Sequence, residues 1–295
     1  ADDENLFCGR ELYLFYVNRY YDPAWFIGNS ITNDGFDLLN YVRQVNQHGL
    51  KPDDYHLYLI ETYFKKVLNA PFPDTTDLVK LDLLLTDAFL HLGSHLYYGK
   101  IDPEKEGANW NMKRKDPDLR LDLILERALS GNGVDKELNL LAPGYRSYWV
   151  MKEELAFFLG LDDKSWPVIL SAKPVKPGDT SRIIPIVRDR LIKLRYGLSA
   201  SLSQTLDEEL EGQLKEFQDH WGLNADGIIG KATLEYLNFR PSKLIGQLKV
   251  NMERFRWLPP QVTEKHINVN IANFRLDMIE GSDTLISMRA VVGKE

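Results

Sequence analysis

Several groups of side chains have the types and spacing that chemistry needs. The single cysteine, Cys8, sits in Phe7-Cys8-Gly9-Arg10. A nucleophilic thiol needs a histidine and a carboxylate or amide beside it, and nothing in the sequence places them there. Lipid attachment would favour a small residue before the cysteine, where Phe7 stands. Cys8 is therefore expected to be a partly buried free thiol. Asp87, His91 and His95 repeat every fourth position, which puts them on one helix face and could offer metal ligands. No H-E-x-x-H accompanies them, so a polar helix stripe is expected and no metal is assigned. His220 follows Asp219 and is expected to form a solvated pair with it. Tyr13, Tyr16, Tyr20, Tyr21, Trp25 and Phe26 crowd the start of the chain. Aromatic faces can stack on sugars, but aromatics at helical spacing are expected in a core. Trp221, Asn224, Asp226 and Lys231 gather around a turn, and loops on a rigid core concentrate binding groups. These four are the candidate binding residues; in the competing reading Asp226 only shapes the turn and Trp221 only packs. No catalytic residue and no cofactor is assigned.

The elements that must position these groups are mainly helical. Leu78, Leu81, Leu84, Leu85, Phe89 and Leu92 follow a helical period, loosened at Gly93 and Gly99 and ended by Pro103. Phe36, Leu39, Tyr41, Val42 and Val45 predict another helix, closed by Gly49 and Pro52. Leu121, Ile124, Leu125, Ala128 and Leu129 predict a third, stopped at Gly131. No strand alternation stands out before residue 172. Pro167, Pro174, Pro177 and Gly178 then mark a linker. A three-helix unit follows. Its first helix carries Val187, Leu191 and Leu194 and ends at Gly197. Its second begins at Thr205-Leu206-Asp207-Glu208, read as a capping box, and carries Leu210, Leu214, Phe217 and Trp221 to a stop at Gly222. Asp226-Gly227 reads as a turn, and Ala232, Leu234 and Leu237 as a short third helix. Leu244, Leu248, Met252 and Phe255 stripe a further helix, ended by Pro259-Pro260. The period then changes to two: Ile267, Val269 and Ile271 alternate with Asn268, Asn270 and Ala272. Gly281-Ser282-Asp283 is expected to turn into a strand from Thr284 to Val292.

Composition bounds the function. The 295 residues carry a net charge of −7, with 44% hydrophobic and 27% charged residues, ordinary for a globular chain of two or three domains. An acidic balance argues against nucleic acid as the main partner. Two stretches are locally basic: Arg182, Arg188, Arg190, Lys193 and Arg195, and Arg240, Lys243, Lys249, Arg254 and Arg256. Both are expected to be solvated helix faces. No apolar run is long enough to span a bilayer. The start at Ala1, without Met or an apolar leader, is expected of a trimmed or processed form. Two or three strands with open edges are marginal alone, so Glu295 is not expected to be the natural end of a domain.

The segment from Phe217 to Thr233 reads FQDHWGLNADGIIGKAT and resembles the three-helix peptidoglycan-binding module. Each matching residue has a physical reason. Phe217 fills the small core, Gly222 closes the helix, and Asp226-Gly227 makes a turn that needs permissive backbone. Gly230 is expected to let the next helix start close to the previous one. The flanks resemble the large L,D-transpeptidases with a helical scaffold. Asn251 to Pro259 (NMERFRWLP) resembles that family's connection to its catalytic domain. Ile267–Ile271 is similar to the first catalytic strand, and Val291-Val292-Gly293-Lys294 to the close of an early one. Gly49–Tyr55 (GLKPDDY) and Tyr98–Pro103 (YGKIDP) resemble scaffold segments. The resemblance implies a helical scaffold at 1–172, a peptidoglycan-binding module at 173–240, and a connecting helix and linker at 241–264. The first strands of an incomplete, β-rich catalytic domain would fill 265–295. It further implies export to the periplasm or cell envelope, and stem peptides and glycan of peptidoglycan as partners. The family's chemistry is acyl transfer by a cysteine in an S-H-G-C-x-R motif, forming 3-3 cross-links. This sequence has no S-H-G-C; Ser94-His95 shares two letters and lies in the scaffold. The enzymatic expectation thus concerns a parent protein. The alternatives are a non-catalytic peptidoglycan-binding adaptor, and the same module paired with a hydrolase.

Overall fold

The computed structural model describes residues 6–105, 115–259, 265–270, 274–281, 283–291 and 293. It is mostly helical, with short strands mainly near the C-terminal end. Two compact units separate: Ala1–Phe157 with Gln247–His266 and Ile279–Leu285, and Phe158–Gly246 with Ile267–Met278 and Ile286–Glu295. Among the described residues no helix is long and apolar enough to cross a membrane.

The first unit is built around one long helix. In chain order come α1 (Gly9–Asn18), the two-residue strands β1 (Phe26–Ile27) and β2 (Ser30–Ile31), α2 (Asn33–Gln44) and α3 (Leu57–Asn69). Then come α4 (Thr75–Tyr98), α5 (Leu121–Arg127), α6 (Val134–Leu141) and α7 (Arg146–Leu159). Helix α4 is capped by the Asp74 carboxylate, which accepts from Thr76 N at 2.9 Å. It packs against α1, α2, α3, α5 and α6. Leu81, Leu84, Leu85, Phe89, Leu90, Leu92 and Leu96 are buried all round it, as a central helix requires. Gly93 does not interrupt α4, which runs on to Tyr98 and stops at Gly99 with φ +88°. The small β1–β2 hairpin, paired antiparallel, is a strand element that the sequence did not announce.

The second unit holds α8 (Ile184–Lys193), α9 (Glu208–His220) and α10 (Lys231–Leu237) around one core. Val187, Leu191, Leu206, Leu210, Leu214, Phe217, Ile229 and Leu237 fill that core. The stretch expected to be a linker is packed into it. Ile169 and Val175 belong to the core, and Val175 bridges Ile229 in antiparallel fashion. The start of α9 also differs from expectation. Its cap is Asp207, whose carboxylate accepts from Leu210 N at 3.0 Å, while Thr205 bridges Thr180 instead. Helix α8 ends before Gly197. Arg195 takes the left-handed conformation (φ +66°), and Tyr196 N returns to Leu191 O at 2.9 Å.

Helix α11 (Pro241–Trp257) follows, and the strands β3 (His266–Asn270), β4 (Arg275–Glu280) and β5 (Asp283–Arg289) form a sheet ordered β3-β4-β5. The sequence reading missed β4. Ile267, Val269, Leu285, Ile286 and Met288 are exposed. Pro260, Ile271, Ala272, Ser282, Val292 and Lys294, which also figured in the sequence reading, lie outside the described residues.

Both basic stretches proved only partly solvated. Arg188, Arg190 and Arg256 are each 1% exposed. Arg188 bonds the carboxylates of Asp207 and Glu209. Arg190 donates to the carbonyls of Leu237 and Pro167 and lies 4.1 Å from the Trp166 ring centroid. The aliphatic stems bury while each guanidinium finds oxygen partners, which the charge pattern alone does not reveal.

Candidate functional site

The turn between α9 and α10 is organised by one buried amide. Helix α9 closes in a Schellman motif: Leu223 N bonds Gln218 O at 2.8 Å, Gly222 N bonds Asp219 O at 3.0 Å, and Gly222 sits at φ +66°. The side chain of Gln218, 1% exposed, then reaches the loop beyond. Its Oε1 accepts from Gly227 N at 2.8 Å. Its Nε2 lies 3.0 Å from Ile228 O and 3.1 Å from both Asp226 Oδ1 and Thr233 Oγ1. Thr233 donates in turn to Ile228 O at 3.1 Å. Gly227 needs its identity: φ is +71°, and a Cβ would fall 2.8 Å from Glu211 Cγ. Gln218 and Thr233 are letters of the Phe217–Thr233 pattern for which the sequence offered no physical reason. The structure supplies it: they pin the loop.

The four candidate residues fall into two groups on this frame. Asn224 and Asp226 are exposed on the pinned loop, with Asn224 Nδ2 3.4 Å from Asp226 Oδ2. Asp226 Oδ1 also accepts from Ile228 N at 2.9 Å, so its carboxylate shapes the turn as well as facing solvent. Lys231 is exposed at the first position of α10. Trp221 is half-buried in an aromatic cluster, with ring centroids 5.1 Å from Tyr236 and 5.8 Å from Phe239. Tyr236, Phe239 and Lys243, whose Nζ stands 3.4 Å from the Phe239 centroid, extend this half-buried edge and were not foreseen. His220 does not pair with Asp219: its Nδ1 meets the Tyr196 hydroxyl at 3.0 Å. Gly230 does not mediate a close approach. Its φ of −94° suits any residue, and a Cβ there would meet nothing within 4 Å.

Residues 183–237 match the family described as "Putative peptidoglycan binding domain". Residues 10–155 match the family described as "Scaffold domain". No curated protein gives a match. The peptidoglycan-binding match supports peptidoglycan binding and suggests an association with the cell wall. A scaffold domain followed by this module fits the architecture of the L,D-transpeptidases.

In the first unit, the segments that resemble that family converge. Lys100 Nζ lies 2.6 Å from Asp54 Oδ2. Ile101 N donates to Glu253 Oε1 at 2.8 Å, and Gly99 lies so close that a Cβ would fall 2.7 Å from the same oxygen. Arg256 bonds Glu253 Oε2 at 2.7 Å, the Tyr148 hydroxyl at 3.2 Å, and the carbonyl of His48. GLKPDDY, YGKIDP and NMERFRWLP are thus parts of one joint.

The remaining candidates are structural. Asp87 is buried: its carboxylate accepts from Phe7 N at 3.0 Å and Cys8 N at 2.8 Å, and pairs with His56 Nε2 at 2.7 Å. Burial works against its charge, but these bonds outweigh it and hold the carboxyl below its ordinary range. The Asp87–His91–His95 stripe therefore faces protein rather than solvent, and His95 Nδ1 meets the Tyr55 hydroxyl at 2.9 Å. Among the described residues no group of three or more His, Cys, Asp and Glu is placed to hold a metal. Cys8 is free and half-buried. Burial, and next the Asp87 charge, push its thiol up to about 12, so it stays protonated and unreactive at neutral pH.

Proposed function

We propose that this chain holds peptidoglycan for an L,D-transpeptidation carried out by the parent protein. The module binds stem peptides through the Gln218-pinned loop. In this reading Lys231 meets a stem carboxylate and Asp226 and Asn224 meet amine and amide groups. Trp221, with Tyr236 and Phe239, supplies an apolar edge. The observation that carries it is the peptidoglycan-binding match at 183–237, in which a buried amide fixes a loop of exposed polar groups. The scaffold match before the module and the strands after it support the transpeptidase setting. So do the exposed apolar side chains of β3 and β5, which a covering layer would bury. In this reading the work is done in the periplasm or cell envelope. The nucleophile is assigned to the parent protein outside this sequence, whose sole cysteine, Cys8, lies in Phe7-Cys8-Gly9-Arg10 and not in S-H-G-C-x-R.

Two experiments test the two halves. Purified sacculi should retain the chain, and N224A/K231E should weaken retention roughly tenfold, since charge-assisted bonds contribute about 1.5–3 kcal/mol. Unchanged retention would withdraw the residue assignment; no retention of the unaltered chain would withdraw binding. The coding frame should continue past Glu295 into S-H-G-C-x-R, and the longer product should form 3-3 cross-links that mass spectrometry detects. A frame without that motif leaves the adaptor reading in its place.

A further inference from the structure

The aromatic start of the chain divides in the fold, and only half of it is core. Tyr16, Trp25 and Phe26 are buried, but Tyr13, Tyr20 and Tyr21 are 60%, 90% and 68% exposed. Tyr20 and Tyr21 also have φ of +52° and +63°, consecutive left-handed residues that are neither Gly nor Asn. That backbone is disfavoured and persists only where the surroundings impose it. Here Tyr21 N bonds Tyr16 O at 2.8 Å, Asp22 N bonds Arg19 O at 3.0 Å, and Arg19 Nη2 bonds Pro23 O at 3.3 Å. A pinned, disfavoured turn thus leaves two adjacent phenol rings in solvent.

Each ring borders a cavity. Tyr20 borders one of about 420 Å³, with Phe15, Asn18, Arg19, Asp22 and Glu126 in its lining. Glu126 is held by Arg19 at 2.8 and 3.0 Å, which leaves carboxylate lone pairs free to accept further. Tyr21 borders a second cavity of about 410 Å³, walled mainly by apolar groups including Tyr13, Phe26 and Val79. A sugar ring offers an apolar C–H face and a rim of hydroxyls. It calls for an exposed aromatic ring beside planar amide and carboxylate acceptors, which the first cavity provides. An acetamido methyl calls for an apolar wall, which the second provides. The polar lining of the first cavity beside the apolar second suits the two-sided surface of a sugar, where a protein partner's anchor would call for apolar lining in both.

We propose that the Tyr20–Tyr21 turn of the scaffold unit is a second peptidoglycan contact, a saccharide site taking successive N-acetylated hexosamine units of a glycan strand. The proposal rests on the reading that the chain binds peptidoglycan. Contact with the same polymer at both places would raise overall affinity without any new contact in the module.

The test titrates the full chain with chitotetraose and with glycan strands stripped of stem peptides by an amidase. The unaltered chain should bind both. Y20A/Y21A should weaken both roughly tenfold or more, while N224A/K231E should leave them unchanged. N18A/D22N, which leaves the aromatic turn intact, should weaken chitotetraose in the same direction and covers the case in which Y20A/Y21A fails to fold. Equal binding by every variant overturns the proposal. So does a chain that ignores both sugars yet is retained by intact sacculi, an outcome that leaves the module's role standing. A chain that ignores sacculi as well overturns the wider reading with it.

Discussion

The scaffold unit and the module fix their irregular backbone by different means. In the scaffold unit the anchors are buried charges. Glu253 with Arg256 holds Ile101 and the carbonyl of His48, and Asp87 holds Phe7 and Cys8. Asp82, buried, accepts from Ala24 N and Trp25 N at 2.9 Å and from the Tyr16 hydroxyl. In the module the binding loop hangs on a neutral amide, Gln218. The module buries arginines too, but Arg188's partners Asp207 and Glu209 are 40% and 44% exposed at their side chains, where water screens them. A buried ion is strongly penalised when its partner goes, and an amide less so. The scaffold unit should therefore respond sharply to charge and pH, and the module to the loss of donors and acceptors.

Removing one member of the Glu253–Arg256 pair should give the largest effect. R256A leaves Glu253 buried without its cation, and breaking a buried pair destabilises by about 3–5 kcal/mol. Chemical denaturation should show that loss in the scaffold transition, with the module transition unmoved. A loss below about 1 kcal/mol would mean that the pair behaves as a surface one, and the contrast between units would fail.

The matching cut in the module is Q218A. It orphans Gly227 N, removes one of the donors to the Ile228 carbonyl, and should destabilise by about 2 kcal/mol. Q218E sharpens the test, because it keeps the shape but turns a donor toward Ile228 O into an acceptor; it should do no better than alanine. Both should also lower retention on sacculi. Retention at the unaltered level would separate the pinned loop from binding.

These two sites differ in how far the sequence disclosed them. Helix periods, the closure at Gly222 and the Asp226-Gly227 turn are local, and the sequence reading placed them. The anchors are not local. Arg256 meets a carbonyl 208 positions away and Arg190 one 47 away, so their stretches looked like solvated faces. Asp207 rather than Thr205 caps α9, because the helix starts at Glu208 and Thr205 lies in a backbone bridge opposite Thr180. Of the candidate residues, the loop position of Asn224 and Asp226 was legible. The aromatic edge beyond Trp221 was not, because Tyr236 and Phe239 reach it only once α10 has packed.

Acid should separate the units without any mutation. Burial, with the charges of Lys152 and Arg256, draws His48 down to about 2, and burial draws His95 down to about 3. Both are neutral in the folded chain, whereas an unfolded histidine takes a proton below roughly 6.5. The unfolded state then binds more protons, so stability falls as pH drops below that value. One such histidine contributes a loss of about 2 kcal/mol by pH 5. In the module the shifted carboxyls lose stability in acid too, but in a lower window. Asp207, held low by Leu210 N and Arg188, and Glu209, held low by Ser199 and Arg188, keep their contribution until pH falls into the unfolded carboxylate range near roughly 4. Between about pH 6.5 and 4.5 the scaffold transition should shift and the module transition should hold. Parallel shifts would show that histidine burial is not what distinguishes them.

The smallest expected effect has the most telling sign. If Gly230 served a close helix approach, any side chain there would destabilise the module. Its backbone is extended (φ −94°, ψ −175°), the space around a Cβ is open, and α10 has no side-chain cap. Serine at a helix N-cap accepts from the free N–H groups of the first turn and exceeds glycine there by a few tenths of a kcal/mol. G230S should therefore stabilise the module slightly, raising its denaturation midpoint, and leave the Gln218 bonds to Gly227 and Ile228 in place. G227S, at φ +71° and against Glu211, should destabilise it. Two glycines three positions apart in one motif would then carry opposite signs. If both substitutions destabilise, the open space at Gly230 is not what decides its identity, and the loop answers to packing at α10 as well as to Gln218.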